Sequence, residues 1–239
     1  MAIRKMLLDG MIEMGFHPTE EMLDQFEVYK TLLLDWNTRI NLTTITDDED
    51  IVCKHFLDSL TCLMGPVDFN GKKVLDLGTG AGFPGVPLKI LEPSIKITLM
   101  DSLNKRIKYL DTLCLALSLK EVVCLHARAE EAAREKTMRE NFDIVVSRAV
   151  ANLSTLAEYC LPFVRVDGYF IAQKTNEAID EIHEAEKAIQ ILGGSKPQII
   201  KVSIPNTNFE HNLVIIRKTR PTPSVYPRKA GTPAKQPIR

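Results

Sequence analysis

The chain has 239 residues, 45% of them hydrophobic, and its 30 Lys and Arg nearly balance its 31 Asp and Glu. That length suits one large domain, or a domain with an appendage, and supplies ample apolar surface for a core. No apolar run approaches the ~20 residues that span a bilayer, no apolar signal core follows Met1–Lys5, and the five cysteines and five histidines lack C-x-x-C or metal-ligand spacing; the reading is of a cytoplasmic protein with reduced thiols, no membrane span and no metal.

The net charge of −1 hides an asymmetry: residues 1–66 carry twelve acids against five bases, and residues 217–239 carry seven bases and no acid. A basic tail suggests contact with a polyanion, or a solvated end. In chain order, residues 3–14 and 20–35 place apolar side chains at helical spacing, first Ile3, Leu7, Met11 and Met14, then Met22, Phe26, Tyr29 and Leu33. Gly15 and Pro18 separate the two, and Thr19 is the expected N-cap of the second. Residues 36–46 read as a polar connection, followed by a helix that starts with a capping box from Thr46 to Glu49 and runs to about Leu63.

From Lys72 short apolar runs alternate with helical segments. Strands are expected at 73–77, 95–100, 121–126, 142–147 and 167–173, with helices near 84–92, 103–118, 129–138 and 152–161. Such alternation builds a parallel sheet covered on both faces. A long polar helix, 175–192, leads to strands 197–204 and 212–218, whose short connection makes them antiparallel. The expected fold is α/β and Rossmann-like: a mostly parallel seven-stranded sheet with an antiparallel last strand. Residues 1–66 form an N-terminal helical extension, 67–219 the main domain, and 220–239 a basic, proline-rich tail with little to pack.

The stretch from Val74 to Phe83 reads as a buried strand, one acid and a glycine loop opening a helix, which marks Asp76, Gly78, Gly80, Gly82 and Phe83 as ligand-binding candidates. A carboxylate at Asp76 would repel a pyrophosphate but tolerates the amine and sulfonium of S-adenosylmethionine. The rival is a dinucleotide, and with it an NAD-dependent oxidoreductase, because Gly80 to Gly85 also fits G-x-G-x-x-G; the antiparallel sheet end argues against it. Ligands of such sheets lie beyond the carboxyl ends of the strands. Asp101, 25 residues past Asp76, ends the second strand and suits a ribose. Ala129 and Glu130, after the third, suit an adenine ring or are a plain helix start.

Ser147-Arg148-Ala149-Val150 ends the fourth strand and faces the methyl group. It has neither the Asn/Asp-Pro-Pro cluster used for exocyclic amines nor the cysteine used for pyrimidine carbons. An acceptor with a free lone pair, such as guanine N7, needs no base. Arg148 is the catalytic candidate, holding guanine O6 or the donor's carboxylate, with a structural ion pair to Asp76 or Asp143 as the other reading. Lys174 and Arg217 follow the fifth and seventh strands and are candidates for phosphate or base contacts. His55, Asp58 and Ser59 fall within one helical turn, as a polar site or as a satisfied, partly buried histidine.

These residues resemble a known family, the bacterial 16S rRNA guanine(527)-N7 methyltransferases, also called the glucose-inhibited division protein B family. The resemblance covers nearly the whole chain, through Trp36 to Thr43, Lys54 to Leu60, Asp76 to Pro87, Ala127 to Glu130, Ser147 to Val150 and Tyr226 to Pro237. It implies a class I S-adenosylmethionine-dependent methyltransferase fold and N7 methylation of one guanine in the decoding region of 16S rRNA, free or in a small-subunit particle. It implies donor contacts at Gly78, Phe83, Ala129, Glu130 and Arg148, and gives the tail, with Arg228 and Lys235, a place on rRNA phosphates. A monomer is expected. The family's older name leaves a non-catalytic regulator of cell division as the alternative.

Overall fold

Alternate residues along each central strand are buried on opposite faces, and this pattern sets the architecture. The computed structural model describes residues 2–148, 151–175, 179–205 and 207–238. The Ala149–Val150 end of the fourth segment, the expected helix start at 176–178 and Asn206 of the last connection lie outside the described residues.

Seven strands, β1 (Lys73–Leu77), β2 (Lys96–Asp101), β3 (Val122–His126), β4 (Phe142–Ser147), β5 (Val164–Thr175), β6 (Gln198–Ser203) and β7 (Glu210–Arg217), pair in the order β3-β2-β1-β4-β5-β7-β6. The first five are parallel, and β7 runs antiparallel to both β5 and β6. In β1, Val74 faces one core and Leu75 and Leu77 the other. The sheet and its antiparallel end match the expectation, with strand ends shifted by one to three residues.

Helices α1 (Ala2–Glu13) and α2 (Glu20–Ile40) pack on the same face as α5 (Gly85–Leu91) and α6 (Asn104–Ala116); α8 (Leu153–Cys160) and α9 (Ile179–Ile191) cover the other. One apolar cluster joins Leu7, Phe26 and Tyr29 of the N-terminal helices to Val74, Leu99 and Val146 of the sheet. No helix among the described residues is long and apolar enough to cross a membrane.

Five local expectations are corrected. Helix α2 does not stop at residue 35: Arg39 pairs with Asp35 at 2.9 Å one turn back, and Trp36 packs on Tyr109 with centroids 5.7 Å apart. A polar stretch therefore stays helical because its one large ring is anchored. Asn37 Oδ1 then accepts from Leu42 and Thr43 N–H at 2.7 and 2.9 Å, which turns the chain over the sheet. The next helix is capped by Asp47, whose Oδ1 accepts from Glu49 and Asp50 N–H at 3.0 and 3.1 Å, and not by Thr46. It is also not one regular helix: α3 (Asp48–Ile51) passes through a π-helical turn (Val52–Leu57) into α4 (Asp58–Leu60) and a 3₁₀ turn (Thr61–Met64). The helix expected at 129–138 is the single turn α7 (Ala129–Ala132).

The tail is the fifth correction. It packs against α7 and α8 and ends in α10 (Thr232–Lys235), with Thr222, Pro227 and Pro233 buried. Its hold is polar, so apolar patterning does not reveal it: Arg139 donates to the carbonyls of Thr222 and Tyr226 at 2.8 and 2.9 Å, and Arg134 to that of Pro227 at 2.6 Å.

Candidate functional site

The loop after β1 is built around two backbone demands. Gly78 and Thr79 both donate to Met100 O, at 2.9 and 3.1 Å, which turns the chain back over β2. Gly80 sits at φ 60, and a Cβ there would meet only Gly78 O at 3.9 Å, so left-handed backbone rather than crowding requires glycine. Gly85 is required by contact: its Cβ would fall 2.6 Å from Asp76 Oδ2.

Asp76 is fully buried beneath this loop, and its Oδ2 accepts from Thr79 Oγ1 at 2.7 Å and Gly85 N at 2.8 Å. Burial pushes its carboxyl up to about 6, with the Thr79 and Gly85 donors pulling the other way. Asp76 is not part of the cavity wall, and so selects no ligand by contact; it shapes the loop that does. Gly82 likewise faces away, toward the Tyr29 hydroxyl, which would lie 2.7 Å from an added Cβ. Tyr29, on α2, donates to Ala81 O at 2.7 Å and stacks on Phe83 at 5.2 Å. In the sequence it looks like one more apolar position of a helix; nothing marks it as a support of the loop.

Two adjoining concavities open at the carboxyl ends of β1 to β4. One, of about 250 Å³, is walled by Leu77, Met100, Ala129, Glu130, Leu156 and Tyr159. The other, of about 420 Å³, is walled by Thr43, His55, Gly80, Phe83, Arg106 and Arg148. Gly78, Asp101 and Ser102 line both. Asp101 Oδ1 accepts from Leu103 N at 2.9 Å, and Oδ2 from Gly80 N at 3.0 Å and Arg106 Nη1 at 3.1 Å. A carboxylate has about four lone-pair sites, so Oδ1 retains one acceptor position for a ligand hydroxyl. Glu130 is buried, with Oε1 accepting from Gly231 N at 3.0 Å.

At the far wall, Arg148 Nη1 donates to Asp58 Oδ2 at 2.7 Å and to Lys54 O at 3.1 Å, while Nη2 approaches His55 Nδ1 at 3.2 Å. Its ion-pair partner is thus Asp58, not Asp76 or Asp143; Asp143 pairs with Arg165 at 2.6 Å. The guanidinium stands 4.9 Å over the Phe83 ring, on which His55 stacks at 4.4 Å. Because arginine only donates, His55 Nδ1 is the acceptor and its Nε2–H donates to Thr43 Oγ1, 2.8 Å away. His55 is therefore neutral; burial first, and Arg148 second, bring its pKa down to about 4. Burial opposes the charge of Asp58, but His211, 2.9 Å from Oδ1, and Arg148 outweigh it and hold the carboxyl below its usual range. The sequence marked His55 and Asp58 as a polar pair; it gave no sign of His211, which lies in the expected connection between the last two strands.

The tail and strand-end cations fall elsewhere. Lys174 is buried, donating to Ala151 O and pairing with Glu181 at 2.8 Å, so it ties the loop after β4 to α9 and offers nothing to a phosphate. Arg228 grips Glu158, whose side chain is fully buried, at 2.6 Å. Arg217 is exposed and pairs with Asp167 at 2.7 Å, and Lys235 is exposed on α10.

This strand order, with a glycine loop after β1 and an acid ending β2, is that of the class I S-adenosylmethionine-dependent methyltransferases, and the chain is an enzyme of that class with S-adenosylmethionine as its methyl donor. The double cavity has room for such a donor, and Asp101 carries its spare acceptor between the two parts. Among solved structures the fold resembles TYW2 of M. jannaschii in complex with AdoMet, at TM-score 0.51 and 13% identity over 75% of this chain and 77% of that one. It also resembles the citrinin polyketide synthase CMeT domain, at TM-score 0.51 and 15% identity over 68% of this chain and 51% of that one.

A family model described as rRNA small subunit methyltransferase G matches residues 22–216, and the chain belongs to that family. It is 46% identical to Ribosomal RNA small subunit methyltransferase G of Alkaliphilus metalliredigens over 239 residues, all of both chains. It is 51% identical to that of Desulforamulus reducens over 229 residues, 95% of this chain and 94% of the other. Neither an NAD-dependent oxidoreductase nor a non-catalytic regulator finds support in these relatives.

Proposed function

We propose that this chain methylates N7 of a single guanine in the decoding region of 16S rRNA. The observation that carries the choice of atom is the engagement of His55 and Asp58, the two candidate bases grouped around Arg148. His55 has one nitrogen accepting from Arg148 and the other donating to Thr43, and Asp58 is held by Arg148 and His211. Neither is free to remove a proton, and no cysteine is among the residues named for this cavity. An acceptor with a lone pair and no proton to lose fits that arrangement; an exocyclic amine does not.

S-adenosylmethionine supplies an electrophilic methyl on sulfonium. The work left to the protein is alignment in a dry site. Arg148 is catalytic in this reading: its Nε–H and one Nη2–H are uncommitted among its described hydrogen bonds and can hold guanine O6 or the donor carboxylate. Thr43 Oγ1 accepts from both His55 and Ile45 N, so its own proton is left to donate toward the cavity. Gly78, Gly80, Phe83, Asp101, Ala129 and Glu130 are proposed as donor contacts, with Asp76 and Gly82 acting through the loop.

Residues 1–66 are read as the helical extension, 67–219 as the catalytic domain and 220–239 as an appended tail, in a cytoplasmic monomer. Arg217 and Lys235 remain proposed phosphate contacts. The test is transfer of labelled methyl to rRNA, and to small-subunit particles, from cells lacking the gene, mapped by cleavage at N7-methylguanine. Label at one N7-guanine supports the reading; label on an exocyclic amine or a ring carbon rejects it.

A further inference from the structure

The tail carries a pattern that phosphate binding does not explain. Its Arg228 turns inward. Arg228 donates through Nε and Nη2 to both oxygens of Glu158, at 3.1 and 2.6 Å to Oε2 and 3.0 Å to Oε1, and its backbone N–H reaches Oε1 at 2.7 Å. Three residues on, Gly231 N donates to Glu130 Oε1 at 3.0 Å, and Pro233 O accepts from Thr155 Oγ1 at 3.1 Å. Glu130 lines the smaller cavity. Glu158 and Thr155 belong to α8, whose Leu156 and neighbouring Tyr159 line the same cavity.

We infer that the C-terminal segment from Tyr226 to Ile238 is a strap that fixes the adenosine end of the donor site, with Arg228 and Gly231 as positioning residues. The inference rests on reading this cavity as the donor's. The chemistry is specific. A buried glutamate left alone would protonate or swing toward solvent. One backbone N–H on Oε1 fixes the Glu130 rotamer at the cavity wall. Arg228 performs the neutralising task for Glu158, which has no other counter-charge among its described contacts. An arginine so engaged is a poor phosphate ligand, because binding RNA would strip a fully buried carboxylate of its partner. The turn that presents Gly231 N depends on φ 80, while a Cβ there would touch nothing within 4 Å, so the backbone alone dictates glycine.

That last fact supplies the test in the full-length chain. Gly231→Val keeps the N–H but disfavours the turn, whereas Gly231→Asn tolerates left-handed backbone. Arg228→Met combined with Glu158→Met removes the ion pair without leaving a lone buried charge. S-adenosylmethionine and adenosine are titrated into each by calorimetry, and KM for donor and rRNA is measured at several salt concentrations. Gly231→Val and the double variant are expected to weaken both ligands about tenfold, the scale of one hydrogen bond to a charged group. KM for donor rises while kcat, KM for rRNA and the salt slope stay put, and Gly231→Asn returns to within about twofold, the cost expected of a tolerated αL residue. Unchanged adenosine affinity in Gly231→Val overturns the strap. So does a raised rRNA KM with a salt slope shallower by about 0.7–0.9, the signature of one lost phosphate contact. Failure of the rRNA reading leaves the adenosine titration untouched, so the two are told apart.

Discussion

Two buried carboxylates, Asp58 and Asp76, support the site, and they are handled in opposite ways. Asp58, 3% exposed, has a guanidinium at 2.7 Å and an imidazole at 2.9 Å, and its carboxyl lies below the usual range. Asp76, fully buried, has only the neutral donors of Thr79 and Gly85, and its carboxyl is pushed up to about 6. At Asp58 the charge is needed, because it holds a cation that faces the cavity. At Asp76 the oxygen is needed, because it accepts two hydrogen bonds that fold the loop. The difference separates charge from shape in one site, and each prediction tests it.

The largest effect is expected at the cation itself. Arg148→Ala lowers kcat/KM for methyl transfer about 10²–10³-fold, the range for removing an oriented electrostatic contact. Arg148→Lys recovers little, since an ammonium lacks the fork that reaches Asp58, Lys54 O and His55 together. Single-turnover assays read both, with circular dichroism as the check on folding, and turnover within threefold of wild type in Arg148→Ala removes the residue from the site. Next comes stability. Asp58→Asn leaves Arg148 without its charge partner and costs about 3 kcal/mol in denaturant unfolding, the lower end for a broken buried pair because Arg148 is partly exposed.

How much of this was visible beforehand follows from what the sequence encodes locally. The five- and six-residue strands β1 to β4 and the glycine loop are written in neighbouring positions, so the parallel core of the sheet and the loop are legible. The support of that loop is not. Tyr29 reaches Ala81 across more than fifty residues, and its ring looks in sequence like any core aromatic. Asp58 and His55 are legible as a pair through their spacing, yet the partner that gives them meaning, Arg148, lies 90 residues away from Asp58, and its alternative reading as an ion pair points only to Asp76 or Asp143. The π-helical turn at Val52–Leu57, which sets the spacing of His55 and Asp58, has no compositional mark. The packing of the tail is hidden for a different reason: a basic, proline-rich end reads as having little to pack, but here arginines fasten to carbonyls and to Glu158, contacts that no hydropathy pattern records.

The contrast predicts opposite pH behaviour for Asp76 and His55. Asp76 binds its proton more tightly folded, at about 6, than at its ordinary 3.8, so its contribution is present below 3.8 and is lost as pH rises through 6. Asp76→Asn removes this loss, and its stability relative to wild type improves by about 3 kcal/mol between pH 3 and pH 7. His55 is the reverse: its folded value of about 4 lies below 6.5, so stability is complete above 6.5 and declines as pH falls toward 4. A difference curve for Asp76→Asn that is flat with pH means the carboxyl is not raised, and the two acids are then alike.

The smallest effect tests whether shape alone can matter on the Arg148 side. Thr43→Val keeps the volume and removes one oxygen. His55 Nε2–H and Ile45 N–H then lose their acceptor, and the cavity loses the one hydroxyl proton that Thr43 had left to donate. None of these changes alters charge, so Asp58 and Arg148 stay paired and the protein stays within about 2 kcal/mol of wild-type stability, the worth of two hydrogen bonds. Turnover falls about fivefold on the same scale, while donor affinity is unchanged because Asp101 and Glu130 are untouched. If instead Thr43→Val weakens donor binding and leaves turnover alone, the Thr43 hydroxyl belongs to the methionine end of the donor. The Phe83 wall would then hold the donor's amino acid rather than the guanine, and the spare N–H groups of Arg148 would be assigned to a carboxylate.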